Sequence, residues 1–171
     1  MKPQKIQKHV LSLPKNRNST IGFSLVELII VVAILGILAA IVLPEFQSQS
    51  QKAKEAAAKA NLTLLRDAIE RYALDHNGIP PGYQDNDPAG NVNFIFLQSQ
   101  LVTGTSKIYL SEIPENPFNG LSQVKVLSDD TPFPNAAQLT TTIGWYYKPF
   151  TKTIRLNWAG TDTEGISYFE Y

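Results

Sequence analysis

Residues 23–43, FSLVELIIVVAILGILAAIVL, form an apolar run interrupted by a single charge, Glu27. At about 1.5 Å of rise per residue, a helix over this run covers roughly 31 Å, the thickness of a bilayer's hydrocarbon core. The run reads as a membrane-spanning helix, and a chain of 171 residues has room for one small folded domain beside it. Charge is distributed unevenly around it: Lys2, Lys5, Lys8, Lys15 and Arg17 precede the run with no acid among them, whereas all 15 acids lie beyond Gly22. A basic flank stays in the cytoplasm by the positive-inside rule, which places the part after residue 46 across the membrane. There is no cysteine, so disulfides, thiolate metal sites and cysteine nucleophiles are excluded.

Three readings compete for the apolar run. A secretory signal cut after Ala40 needs a small residue two positions earlier, where Leu38 stands. A plain signal anchor leaves Glu27 unexplained, because an acid in a membrane segment costs about 2.5–3.5 kcal/mol at the centre and less near the interface. Cleavage between Gly22 and Phe23 explains the acid. It gives Phe23 a free amino group, and Glu27 lies one helical turn away on the same face. Glu27 also falls in the first turn of the new helix, where the macrodipole favours a negative charge. Between stacked copies in lipid, the carboxylate of one helix and the amine of its neighbour would set an axial register, since low dielectric strengthens pairing and penalises mispairing.

The string GFSLVELIIVVAILGILAAIVLP, residues 22–44, resembles the type III signal sequence of type IV pilins and type II secretion pseudopilins, with matches at Gly22, Phe23, Glu27 and Pro44. The resemblance implies that a prepilin peptidase removes residues 1–22 at the cytoplasmic face and methylates the new Phe23 amine, which stays basic. It further implies an α+β, pilin-like fold in which a long N-terminal helix, membrane-spanning in its first half, packs on a small antiparallel sheet. The implied organisation is a leader at 1–22, a transmembrane and assembly helix at 23–43, a stalk and head-packing helix at 44–77, and an extracytoplasmic head at 78–171. The leader, with Pro3 and Pro14, is expected to lack stable structure.

After Pro44 the sequence is rich in helix formers and free of internal glycine and proline up to about His76. Leu65, Ala68, Ile69, Tyr72 and Ala73 repeat at i, i+3 and i+4, so one face is expected to pack on a sheet. Residues 45–59, small or polar, suit a stalk around which neighbours pack. Asn77 and Gly78 supply a left-handed stop, and Pro80 and Pro81 prevent continuation. Gly36 and Pro44 break helix rules within the long element, so a kink or local melting is expected there. In the filaments it resembles this stretch extends or melts, which makes Pro44 a candidate compliance point.

In the head, residues 78–121 read as irregular apart from a short helix near Phe94–Leu101. Strand-like runs follow at 124–127, 143–147, 153–158 and 166–171, read as an antiparallel meander. Ile154, Leu156 and Trp158 alternate onto one face that would cover the helix stripe, and residues 148–152 form a tight reversal. YLSEIPENPFNG, residues 109–120, is similar to a stretch of the major type II secretion pseudopilin, with Asn116, Phe118 and Asn119 in place of that family's acid, tryptophan and glycine. AGTDTEG, residues 159–165, looks like a thinned version of the same family's calcium loop. Asp162, Glu164 and backbone carbonyls are its candidate ligands for Ca²⁺, which takes six to eight oxygens. An ordinary turn set by Gly160 and Gly165 is the competing and preferred reading.

An enzyme is the rival class. The histidines are His9, in the leader, and His76, at the expected helix end, so no histidine triad or zinc cluster can form in the head. His76 reads as a cation at a helix C-terminus. Carboxylate pairs at Asp129 and Asp130, or at Asp162 and Glu164, remain open. No phosphate-cradling glycine loop or basic aromatic stripe is present, and the acidic remainder of the chain argues against nucleic acid. The sequence therefore points to a non-enzymatic structural subunit of a type II secretion pseudopilus or related filament. The expected partners are further copies, other pseudopilins, the prepilin peptidase, an inner-membrane assembly platform and membrane lipid. The expected location is the bacterial inner membrane, N-terminus cytoplasmic and head periplasmic, followed by the filament. A type IV pilin or minor pilin in adhesion, motility or DNA uptake is the alternative, made less favoured by the absence of a cysteine pair.

Overall fold

The computed structural model describes residues 22–104, 107–138 and 142–171. Leader residues 1–21 lie outside the described residues. Helix α1 spans Leu25–Asp75, and the chain divides into two compact units, the first ending at Leu43 and the second running from Pro44 to Tyr171. Helical structure is continuous through Gly36 and Pro44. The kink or melting expected there is thus not a break in the helix: proline costs one backbone hydrogen bond, and the turns on either side keep theirs. In the first unit the large apolar side chains are exposed all round, from Phe23 at 81% to Val31 at 46%. A helix with no polar face suits lipid rather than an aqueous surface.

The second unit is organised by one stripe of α1. Ala58, Leu62, Leu65, Ala68, Ile69, Tyr72 and Ala73 are buried, in the i, i+3, i+4 rhythm of a single face. Glu55 and Ala58 belong to the buried set as well, so the head covers the helix further toward its N-terminus than a bare stalk over residues 45–59 would allow. The small side chain of Ala58, fully buried, lets the covering chain approach closely. The helix ends as its sequence dictates. Asn77 and Gly78 take positive φ (56° and 86°), and the Gly78 N–H donates to the Ala73 carbonyl at 2.8 Å, closing the last turn.

Helix α2, Phe94–Leu101, forms where expected, with the Asn93 side chain capping it by accepting from the Phe96 N–H (2.9 Å). Its buried face is Leu97 and Leu101. Three short strands follow: β1 (Val124–Val126), β2 (Trp145–Lys148) and β3 (Thr153–Leu156), in the order β1-β2-β3. β2 and β3 form the expected antiparallel hairpin, with Tyr147 opposite Ile154 and a turn in which the Lys152 N–H donates to the Pro149 carbonyl at 2.9 Å. Trp145 and Tyr147 face α1 with Val124, Ile154 and Leu156, while Tyr146 points to the opposite side against Leu127 and Phe169. Burial on both faces explains three consecutive buried aromatics.

Two expectations are corrected. The sheet is mixed, not an antiparallel meander, because β1 runs parallel to β2 with Val124 opposite Trp145. Parallel neighbours need a long crossover, and residues 127–144 supply it. The run 166–171 is not a fourth strand but a 3-10 turn at Tyr168–Glu170, joined to the loop before it by one bridge between Thr161 and Ser167. A threefold period puts Tyr168 and Tyr171 on the same side, where their rings meet edge-on at 5.5 Å, and frees Phe169 for the far side of the sheet. β3 also stops before Trp158, because the Asn157 side chain turns inward to donate to the carbonyls of Gln138 (2.6 Å) and Ile143 (2.9 Å).

Gly144 is the tightest point of the β2 approach: a Cβ there would lie 2.0 Å from the Leu121 carbonyl oxygen. Gly144→Ala is expected to destabilise the protein by about 1–3 kcal/mol or more, read as a lower urea midpoint with unchanged slope by far-ultraviolet circular dichroism.

Candidate functional site

The first candidate region is the start of α1. Ser24 precedes the first helical residue, and its side chain and that of Glu27 exchange hydrogen bonds with each other's backbone: the Ser24 N–H donates to Glu27 Oε2 at 3.0 Å, and the Glu27 N–H donates to Ser24 Oγ at 3.2 Å. This is a capping box, which satisfies two of the amide hydrogens that a helix start leaves open. In lipid, where no water replaces them, such partners matter more. Glu27 therefore has a local partner in the uncleaved chain, in which the Phe23 nitrogen is an amide and carries no charge. Ser24 was legible as the S-x-x-E pattern of residues 24–27 and is the residue that attention to Glu27 alone misses. Gly22 and Phe23 lie in exposed chain without regular structure just before the cap.

The second region is the loop at 159–165 against α1. Asp162 is buried, with both of its carboxylate oxygens engaged twice. Oδ1 accepts the N–H groups of Glu164 (2.8 Å) and Ile166 (2.9 Å), and Oδ2 accepts the Tyr171 hydroxyl (2.7 Å) and the Lys59 ammonium (3.3 Å). The Tyr171 hydroxyl, then the two amides and Lys59, hold this carboxyl well below the usual carboxylate range, against the opposing effect of desolvation. One helical turn earlier, Glu55 accepts the Tyr168 hydroxyl at 2.7 Å and the Thr163 hydroxyl at 3.3 Å, and Gln51 donates to the Tyr168 oxygen at 2.6 Å. Gln51, Glu55 and Lys59 are spaced i, i+4, i+8, so one stripe presents an amide, an anion and a cation to the loop.

As a calcium site this donor set is a poor fit. Glu164 is exposed and offers the loop its backbone N–H. The carbonyls of Gly160, Asp162 and Ile166 already accept from Tyr168, Gly165 and Asp162. Among the described residues no group of three or more histidine or acidic side chains comes together to hold a metal.

The other candidates occupy structural positions. Asp129 accepts the Tyr83 hydroxyl on both oxygens (3.0 and 3.2 Å); burial, then this carboxylate, push the Tyr83 phenol up to about 12, and Asp130 is exposed. His76 stacks on Tyr72 at 3.9 Å between ring centres, and its Nδ1–H donates to the Tyr72 carbonyl at 2.8 Å. Asn116 is fully buried and donates to the carbonyls of Gly144 (3.0 Å) and Asn157 (3.3 Å), while Asn119 donates to that of Ile143 (3.2 Å). Phe118 packs between Trp158 and Tyr168. The 109–120 stretch thus staples the head's loops to the start of β2.

A capped, acid-bearing helix of membrane length, continued by a stripe buried under a small mixed sheet, defines a pilin-like structural subunit of a filament. A family profile described as the prokaryotic N-terminal methylation motif matches residues 17–43. The chain is 31% identical over 122 residues to the type II secretion system core protein G of Pseudomonas aeruginosa, covering 68% of this chain and 81% of that one. It is 37% identical over 112 residues to the protein of the same name in Aeromonas hydrophila, covering 66% and 76%. A fimbrial protein of Pseudomonas aeruginosa shares 35% identity over 86 residues, 50% of this chain and 54% of that one. The chain belongs to the type II secretion system core protein G family, the major pseudopilins. No solved structure gives a match.

Asp162 also makes stability depend on pH. Its folded carboxyl titrates lower than the unfolded value near 3.9, so its contribution is present above that value and is lost as the pH falls through the folded one. Asp162→Asn is expected to melt below wild type at neutral pH, with the gap narrowing below about pH 4.

Proposed function

We propose that the mature chain begins at Phe23 and polymerises through residues 23–43 into the pseudopilus of a type II secretion system. It acts as a structural and not a catalytic subunit. The observation that carries this reading is the first unit's helix, apolar on every side, with Glu27 as its one charge and that charge in the first turn. A carboxylate kept there despite its cost in lipid calls for a cation, and cleavage beside Gly22 creates one at the same end of the helix. The relatives named type II secretion system core protein G support the secretion assignment over the fimbrial one, since the likeness to them covers about two thirds of this chain, against half for the fimbrial protein.

In this reading the precursor sits in the inner membrane with its basic leader in the cytoplasm and its head in the periplasm. A prepilin peptidase cuts between Gly22 and Phe23 and methylates the amine. The Glu27 carboxylate then trades its local cap for the amine of the neighbouring subunit as the helix leaves lipid, with other pseudopilins and an inner-membrane platform as the remaining partners. Pro44 marks where the helix can lengthen, because the Ala40 carbonyl has no N–H to accept from four residues on.

Mass analysis of the membrane-bound protein is expected to give an N-terminus at methylated Phe23. A bulky replacement of Gly22 should leave the full-length precursor, and a wild-type start elsewhere would overturn the processing step. Glu27→Ala is expected to give a cleaved, folded membrane protein absent from shear-released filaments. Glu27→Gln distinguishes charge from shape: poor assembly marks an ionic contact, near-normal assembly a polar one. Normal filament yield from Glu27→Ala alone would sink the mechanism.

A further inference from the structure

Asp162 is a buried carboxylate, and a buried charge must be compensated. Four protein groups meet it, and one of these is itself a cation. The Lys59 ammonium lies 3.3 Å from Asp162 Oδ2 and 4.7 Å from the centre of the Tyr171 ring, whose hydroxyl donates to the same Oδ2 at 2.7 Å. Lys59 is therefore held by an anion and by an aromatic face together. Its side chain is 49% exposed while that of Asp162 is 1% exposed, so the lysine stem reaches in from solvent to a carboxylate that water does not reach.

We propose that Lys59 is the resident counter-ion of the 159–171 segment, so that this segment closes on α1 without a divalent cation. The geometry around Asp162 supports this in three ways. A calcium ion on Oδ2 at about 2.3–2.6 Å would share that oxygen with an ammonium already in hydrogen-bond contact, placing two cations side by side. Oδ1 is engaged by the amide hydrogens of Glu164 and Ile166, the positive ends of peptide dipoles, which compensate its charge without a metal. The carbonyls of Gly160, Asp162 and Ile166 each already accept a backbone hydrogen bond within the loop.

The counter-ion also sits on α1, so loop closure and helix packing become one event. Glu55, one turn away, grips the other side of the loop through Tyr168 and Thr163. Detaching the loop would strand Asp162 and Glu55 together. This inference concerns the head alone and stands or falls independently of how the filament assembles.

The test uses the full-length chain in detergent micelles. Wild type is expected to show the same melting midpoint in millimolar calcium as in chelator, and the same amide exchange at Glu164 and Ile166. Lys59→Met, which keeps the stem and removes the charge, should melt several degrees lower and exchange those two amides about tenfold faster or more. Lys59→Arg should restore both readouts toward wild type, which a loss of mere packing would not predict. Should Lys59→Met fail to fold, the wild-type comparison still decides: a midpoint several degrees higher in calcium than in chelator overturns the proposal. So would wild-type exchange at Glu164 and Ile166 in a folded Lys59→Met.

Discussion

The stripe of α1 from Ala58 to Ala73 has to be covered, and nearly everything in the head can be read as a way of covering it. Leu62, Leu65 and Ile69 are almost fully withdrawn from water, and each such side chain gains about 1.5–3 kcal/mol on burial. No single element is wide enough to do this. Three strands of three or four residues, an eight-residue helix and the loops at 109–121 and 157–171 each contribute one to three buried side chains to the same core. Strands this short do not make a stable sheet alone, so the sheet depends on the helix as much as the helix depends on it.

The polar contacts then decide which loop sits where. Apolar burial is indifferent to register, whereas buried Asn116, Asn157 and Asp162 need specific partners: most of their polar atoms find backbone partners within the head, although Asn157 Oδ1 has none. The Arg66 guanidinium adds to this set by donating to the backbone oxygens of Ile154 and Tyr171, tying the hairpin and the last residues to the same helix face. Irregular chain can be held in place this way without regular structure, because an unpaired group in any of these positions would carry its full desolvation cost.

What was legible in the sequence follows from this division. Helical periodicity, the Asn77 and Gly78 stop, helix α2 and the β2–β3 hairpin are local features, and the residues that specify them are neighbours in the chain. The parallel pairing of β1 with β2 was not legible, because residues 127–144 carry no periodic pattern that announces a crossover. Tyr168 and Tyr171 differ for another reason: an aromatic-rich end reads as a strand, and only the side chains that receive their hydroxyls, Glu55 on α1 and Asp162 in the preceding loop, show that a threefold spacing is wanted. At the candidate sites, Glu27 was visible as an anomaly, yet its partner Ser24 was overlooked although the capping pattern was in plain view. Gln51, Glu55 and Lys59 read as stalk for neighbouring subunits, since a polar stripe reads as outer surface until a polar segment of the same chain is found to lie on it.

Trp145 lies fully buried beneath α1 with its indole N–H donating to the Pro114 carbonyl, and Trp158 stacks on Phe118 at the edge of the same core. These are the two tryptophans of the chain, and neither is in the helix. The consequence is optical. Tryptophan emission reports the condition of the head and nothing else, so the protein carries its own fluorophore for following the head, while the apolar first unit of the helix stays dark.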